Sequence, residues 1–142
     1  MQEIAHALHQ PRVLIVDDDV LSCKQLEKYF APHAACDVRT DGRSAVDAFA
    51  LALGEGSPYD IVCIDIVMPG LDGSQTLEMM RAIEDEFGVE EMNRARVIIT
   101  TEKNDPKSIF QAFFDQHVFA YLVKPIKKQT IETELQKLRL VE

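Results

Sequence analysis

The chain has 142 residues, 46% of them hydrophobic and 27% charged, with a formal net charge of -9. That size and composition describe one folded domain rather than a disordered segment. The acidic balance argues against a nucleic-acid or anionic-membrane surface, where Lys and Arg must neutralise phosphates.

Residues 1–11 read as a short polar leader closed by Pro11, with neither the cationic nor the apolar part of a signal peptide. No run approaches the length of a membrane span, so the reading is a cytoplasmic chain whose domain covers 12–142. The first strand is expected near 12–17, where Val13-Leu14-Ile15-Val16 leads into Asp17-Asp18-Asp19. A helix follows near 20–30, with Asp19 as its N-cap. The second strand, near 36–40, is the least hydrophobic and suits a sheet edge. Asp41-Gly42 and Leu53-Gly54-Glu55-Gly56 bracket a second helix near 43–53. The third strand, near 60–65, is Ile61-Val62-Cys63-Ile64 and ends on Asp65. The third helix runs near 74–87 into the acidic stretch Glu84 to Glu91, read as a solvated end and a longer loop. Strand four, near 95–100, closes Val97-Ile98-Ile99 with Thr100. Asp105-Pro106 then gives an N-cap and first-turn proline for a helix near 106–116. Strand five, near 119–123, carries Tyr121-Leu122-Val123 into Lys124. The last helix, near 127–140, shows Ile131, Leu135 and Leu138 as one amphipathic stripe.

Five alternating strand–helix units predict an α/β fold, a doubly wound parallel sheet with helices on both faces. Such sheets bind ligands beyond the carboxyl ends of their strands. Asp17, Asp18, Asp19, Asp65, Thr100 and Lys124 all stand at strand ends. Acidic groups, a hydroxyl and an ammonium at one edge suit a hard cation and a phosphoryl group. Cys23, Cys36 and Cys63 lack C-x-x-C spacing and read as free thiols rather than a metal or redox site. His6, His9 and His33 offer no ligand spacing either.

Val13 to Asp19, Asp65-Ile66-Val67-Met68-Pro69-Gly70-Leu71-Asp72-Gly73, Thr100-Thr101-Glu102 and Tyr121-Leu122-Val123-Lys124-Pro125-Ile126 together resemble the receiver domain of two-component response regulators. The resemblance covers about residues 11–140. It implies a flavodoxin-like sheet of strand order 2-1-3-4-5 and a signalling module rather than an enzyme in the usual sense. Asp65 matches the phospho-accepting aspartate, supplied by a histidine kinase or phosphotransfer protein. Asp18 and Asp65, with the backbone carbonyl of Val67, would bind Mg2+ directly, and Asp17 largely through water. Thr100 and Lys124 match the hydroxyl and lysine that grip the phosphoryl oxygens, and Tyr121 matches the switch aromatic. Output is expected from the face of the fourth helix, fifth strand and fifth helix, toward a downstream protein or a second copy. There Ile109, Phe110, Phe113, Phe114 and Phe119 cover more than one stripe, so at least one should face outward.

The chain departs from that pattern at two places. Val67 is apolar where many relatives carry a polar side chain, and His117-Val118-Phe119 stands where Gly-Ala is common. Two rival readings remain. A haloacid-dehalogenase-type phosphatase would use Asp17 of the D-x-D pattern Asp17-Asp18-Asp19 as nucleophile. A pseudo-receiver would only bind protein.

Overall fold

A computed structural model describes residues 10–102 and 118–138. In chain order it contains β1 (Arg12–Val16), α1 (Val20–Phe30), β2 (Ala35–Arg39), α2 (Gly42–Gly54), β3 (Ile61–Asp65), α3 (Gly73–Glu86), a 3-10 turn (Glu91–Asn93), β4 (Arg96–Thr101), β5 (Val118–Val123) and α4 (Lys128–Lys137). The leader, Asp105-Pro106 and the helix expected near 106–116, with its four aromatic and aliphatic candidates and His117, lie outside the described residues.

The strands form one parallel sheet in the order β2-β1-β3-β4-β5. The chain moves outward from β1 to β2 and returns to place β3 on the other side of β1. That reversal opens a crevice at the carboxyl ends of β1 and β3. Strand alternation sends Leu14, Val16, Val62, Ile64, Val97 and Ile99 to one face, against Phe49 of α2 and Leu77 and Met80 of α3. Val13, Ile15, Ile61, Cys63 and Ile98 go to the other, against Leu26 and Phe30 of α1 and Ile131 and Leu135 of α4. Ile131 and Leu135 are fully buried, each contributing ~1.5–3 kcal/mol by leaving water. Leu138 packs on the same cluster, completing the expected stripe.

Three helices start on an aspartate. Asp19 accepts from the Leu21 N–H, Asp41 from Ser44, and Asp72 from Gln75, whose side chain returns the bond to the Asp72 N–H. Cys23 and Cys63 are buried and free, and Cys36 is free. Burial first, then the Asp17 charge, pushes the Cys23 thiol up to about 11, so it stays protonated.

The acidic stretch after α3 is not uniformly solvated. Glu84 is 1% exposed, takes the Arg81 guanidinium at 2.8 Å, and accepts the Ala95 N–H at 2.8 Å. An acidic run therefore conceals one carboxylate that ties the end of α3 to the start of β4. In β5 the register shifts between Val97↔Val118 and Ile98↔Ala120, leaving Phe119 as the extra residue of a bulge. Phe119 is 37% exposed, so among the described residues it is the outward ring on this face.

Candidate functional site

The end of β1 makes the first half of the site. Asp17 has no exposed surface, and its N–H is held at 3.2 Å by the carbonyl of Arg39, the last residue of β2. Its Oδ1 accepts the Asp19 N–H at 2.9 Å, and its carbonyl accepts the Cys23 thiol at 3.1 Å. This turn leaves Asp18 exposed at the rim and commits Asp19 to capping α1. The Ser22 hydroxyl also donates to Asp19, and that bond is the main cause holding the Asp19 carboxyl below its usual value.

Asp65 ends β3, 7% exposed, in register with Thr100 of β4. Its Oδ1 accepts the Val67 N–H at 3.0 Å. Lys124, just beyond β5, donates its N–H to the Thr101 carbonyl at 2.8 Å, which fixes where its side chain starts. The Lys124 Nζ then bridges Asp17 Oδ2 at 2.8 Å and Asp65 Oδ2 at 3.0 Å. The Lys124–Pro125 peptide is cis.

The loop from Asp65 to α3 is tightly folded. Ile66 and Met68 are buried on either side of Val67, which is 54% exposed. The Gly73 N–H closes the loop onto the Ile66 carbonyl at 3.2 Å. A Cβ at Gly73 would collide with the Asp65 carbonyl and come within 2.8 Å of the Ile66 Cα, so only glycine permits this approach.

Carboxylate oxygens of Asp17, Asp18 and Asp65 all lie within 4.8 Å of one another. Burial is the largest influence on Asp65 and raises its pKa, outweighing the Val67 N–H and Lys124, which both pull it down. Burial would lower the Lys124 ammonium, but its bonds to Asp17 and Asp65 more than reverse this and raise it. Both partners shift upward for different reasons, and the lysine stays charged. One ammonium thus faces three carboxylates, which leaves room for a cation with oxygen ligands.

Thr100 supplies a second sign of an incomplete site. It has no exposed surface, and its Oγ1 has no hydrogen-bond partner among the described residues. A buried hydroxyl left unpaired is costly unless something completes it. In a parallel pair in register, Thr100 and Asp65 present their side chains to the same face.

The structure therefore brings Asp17, Asp18, Asp65, Thr100 and Lys124 to one sheet edge, with Val67 beside them. Tyr121 stands apart from that set. It pairs in register with Ile99 and packs half-buried on the opposite face, with the cluster of α2 and α3. The sequence reading did not find that Lys124 spans two carboxylates, or that the Cys23 thiol braces the Asp17 carbonyl. Cys23 lies six positions after Asp17, which is no helical repeat, so no local pattern signalled the second.

The phosphatase rival fares poorly in this geometry. Asp17 is sealed from solvent, and the second aspartate of its D-x-D pattern is a helix cap.

Residues 13–136 match the family described as the response regulator receiver domain. Among curated proteins, the chain is 32% identical over 130 residues to hybrid signal transduction histidine kinase L of Dictyostelium discoideum, covering 89% of this chain and 7% of that one. It is 27% identical over 128 residues to regulatory protein VanRB of Enterococcus faecalis, covering 89% of this chain and 51% of that one. The chain thus spans about half the length of one of these relatives and a small part of the other. Among solved structures, the CheX-CheY-BeF3-Mg2+ complex of Borrelia burgdorferi aligns with a TM-score of 0.74 at 25% identity, over 93% of this chain and 90% of that one.

Proposed function

Because this chain belongs to the response regulator receiver family, we propose that it is a phosphorylation switch whose acceptor is Asp65. A receiver is a signalling module of two-component systems, and the comparisons carry the assignment that far. The observation that carries the finer reading is the Asp17–Lys124–Asp65 bridge beside the orphaned Thr100 hydroxyl.

An Asp65 carboxylate oxygen attacks phosphorus in line with the donor bond. The Asp65 O–P bond forms as the P–N bond to the donor's phosphohistidine breaks, and the histidine nitrogen leaves with the electron pair. Lys124 already touches Asp65 and stays charged, so it is placed to hold one phosphoryl oxygen. The Thr100 hydroxyl takes another, which would satisfy its missing bond. Asp18, Asp65 and the Val67 carbonyl would hold Mg2+, with Asp17, which has no exposed surface, acting through water. Bound Mg2+ supplies charge neutralisation for the transferred group.

Drawing Thr100 toward Asp65 would shift the end of β4, and Tyr121, paired with Ile99 of that strand and packed on its opposite face, would turn in response. The signal then leaves through the face of the expected helix near 106–116, β5 and α4, to a downstream protein or a second copy, with Phe119 on that face. The phosphoryl source is a sensor histidine kinase or phosphotransfer protein, and the same site catalyses its own slow autophosphorylation from small donors and dephosphorylation. The domain is taken as 12–142 after a leader at 1–11, and the compartment as cytoplasmic. Among the described residues no helix is long and apolar enough to cross a membrane.

Incubation with acetyl phosphate, or with beryllofluoride and Mg2+, followed by mass spectrometry or NMR tests the assignment. Wild type should be modified at Asp65, and Asp65→Asn should abolish this. Labelling at Asp17 in that variant would support the phosphatase reading instead.

A further inference from the structure

We infer that Gly42 and Thr76, at the crossing of α2 and α3, are positioning residues for the loop that carries the Val67 carbonyl. This rests on the reading of that carbonyl as a Mg2+ ligand.

Gly42 is the first residue of α2 and is buried. A Cβ there would collide with the Thr76 Oγ1, approach the Leu71 carbonyl at 2.6 Å and the Leu71 Cβ at 3.0 Å. Thr76 has no exposed surface, and its hydroxyl reaches the Leu71 carbonyl at 3.5 Å. Leu71 belongs to the loop between β3 and α3. The loop is therefore held from two directions. Gly73 closes its ends onto Asp65 and Ile66, while α2 blocks its far side at Leu71.

The loop has little slack between these stops. Three residues separate Val67 from Leu71, one of them Pro69 with a fixed φ, and Met68 is buried in the core. A push on the Leu71 carbonyl must therefore be taken up near Val67. Mg2+ tolerates little departure from octahedral geometry, so such a displacement reads out as lost affinity. Nothing else about position 42 demands glycine. Its φ is open to any residue, and alanine is the better helix former. If close approach were irrelevant, Gly42→Ala would stabilise the protein.

The test uses the full chain with Gly42→Ala, Thr76→Ala, the double variant, and Gly54→Ala as control. Gly54 lies on the same helix with nothing within 4 Å of its added Cβ. Mg2+ titrations followed by amide NMR, and spectra of the metal-free protein, are the readouts. Gly42→Ala should weaken Mg2+ binding roughly tenfold and shift the metal-free amides of residues 66–72, while Gly54→Ala matches wild type. Should Gly42→Ala fail to fold, the double variant decides. It removes the collision between helices but keeps the one with Leu71, so it should bind Mg2+ roughly tenfold more weakly than Thr76→Ala alone. Equal affinity in that pair, or wild-type affinity in folded Gly42→Ala, overturns the inference. Wild type showing no saturable Mg2+ binding would overturn the metal site itself, a result separate from either.

Discussion

Replacing Lys124 by Met tests the electrostatics of the site while preserving most of the side chain's bulk. The ammonium side chain is 14% exposed, against 0% for Asp17 and 10% for Asp65, so water screens these contacts weakly. At the observed 2.8 and 3.0 Å, each contact amounts to roughly 6 kcal/mol of gross attraction with an effective dielectric near 20. Much of that is offset by the desolvation of all three groups. Removing one partner of a buried pair costs about 3–5 kcal/mol, because the other charge is stranded. Asp65 lies near the rim and can relax by taking a proton or a cation, so the expected loss is about 2–4 kcal/mol in EDTA. Urea denaturation with and without Mg2+ measures it. The variant's site is more negative and should bind the cation more tightly. A tenfold gain in affinity would narrow the gap by about 1.4 kcal/mol at saturating Mg2+. A loss in EDTA below about 1 kcal/mol, or a gap indifferent to Mg2+, would refute the reasoning.

Asp18→Ala should weaken Mg2+ binding about tenfold or more, while Asp19→Ala should leave affinity nearly unchanged and loosen the start of α1. A calorimetric titration in which Asp19 mattered more would shift the ligand set by one residue. Val67→Asn places a polar side chain at a half-exposed position on the approach to Asp65, where Val67 can orient no water. Acyl-phosphate decay should quicken roughly two- to tenfold with Mg2+ affinity unchanged, and slower decay would place control of water elsewhere. Asp37 is held below its ordinary value first by the Tyr59 hydroxyl at 2.6 Å and then by Arg12 at 3.0 Å. A lowered carboxyl stabilises the fold above its unfolded value of 3.8 and loses that contribution as pH falls through the folded one. Wild type should therefore exceed Asp37→Asn in urea midpoint at neutral pH and converge with it as pH drops below 3.8. A gap that persists in acid would show that the aspartate acts other than through its charge.

The strands were readable because a sheet covered on both faces demands continuous apolar runs, and the polar residues that stop those runs make up the candidate site. Asp17, Asp65, Thr100 and Lys124 each announced themselves in this way. Partnerships across the sheet left no such mark. Glu84 sits in a run of acids and looks like its neighbours, since its burial depends on Arg81 and on a backbone N–H eleven residues away. Asp37 looked like an ordinary residue of an edge strand, yet Arg12 and Tyr59 meet on it, with the guanidinium stacked 4.5 Å from the ring centre. Thr100 was found by type and place, whereas its lack of a partner among the described residues is a property of the fold alone. The bulge at Phe119 turns on pairing with β4, which no local pattern in β5 records.

The sheet is graded from its middle to its β5 edge. Every residue of β3 is buried, and β1 and β4 each expose part of one residue, whereas no residue of β5 is buried. Amide exchange should follow that gradient, slowest at Ile15, Cys63 and Ile98 and fastest along β5. Asp65, the proposed acceptor, thus ends the most deeply buried strand among the described residues, so its geometry would survive each cycle of loading and release. One strand beyond Thr100 lies a bulged margin that can be rearranged at little cost. On the proposed reading, a charge added at the buried centre would find its easiest relaxation outward, so the stiffness of the sheet would set the direction of travel.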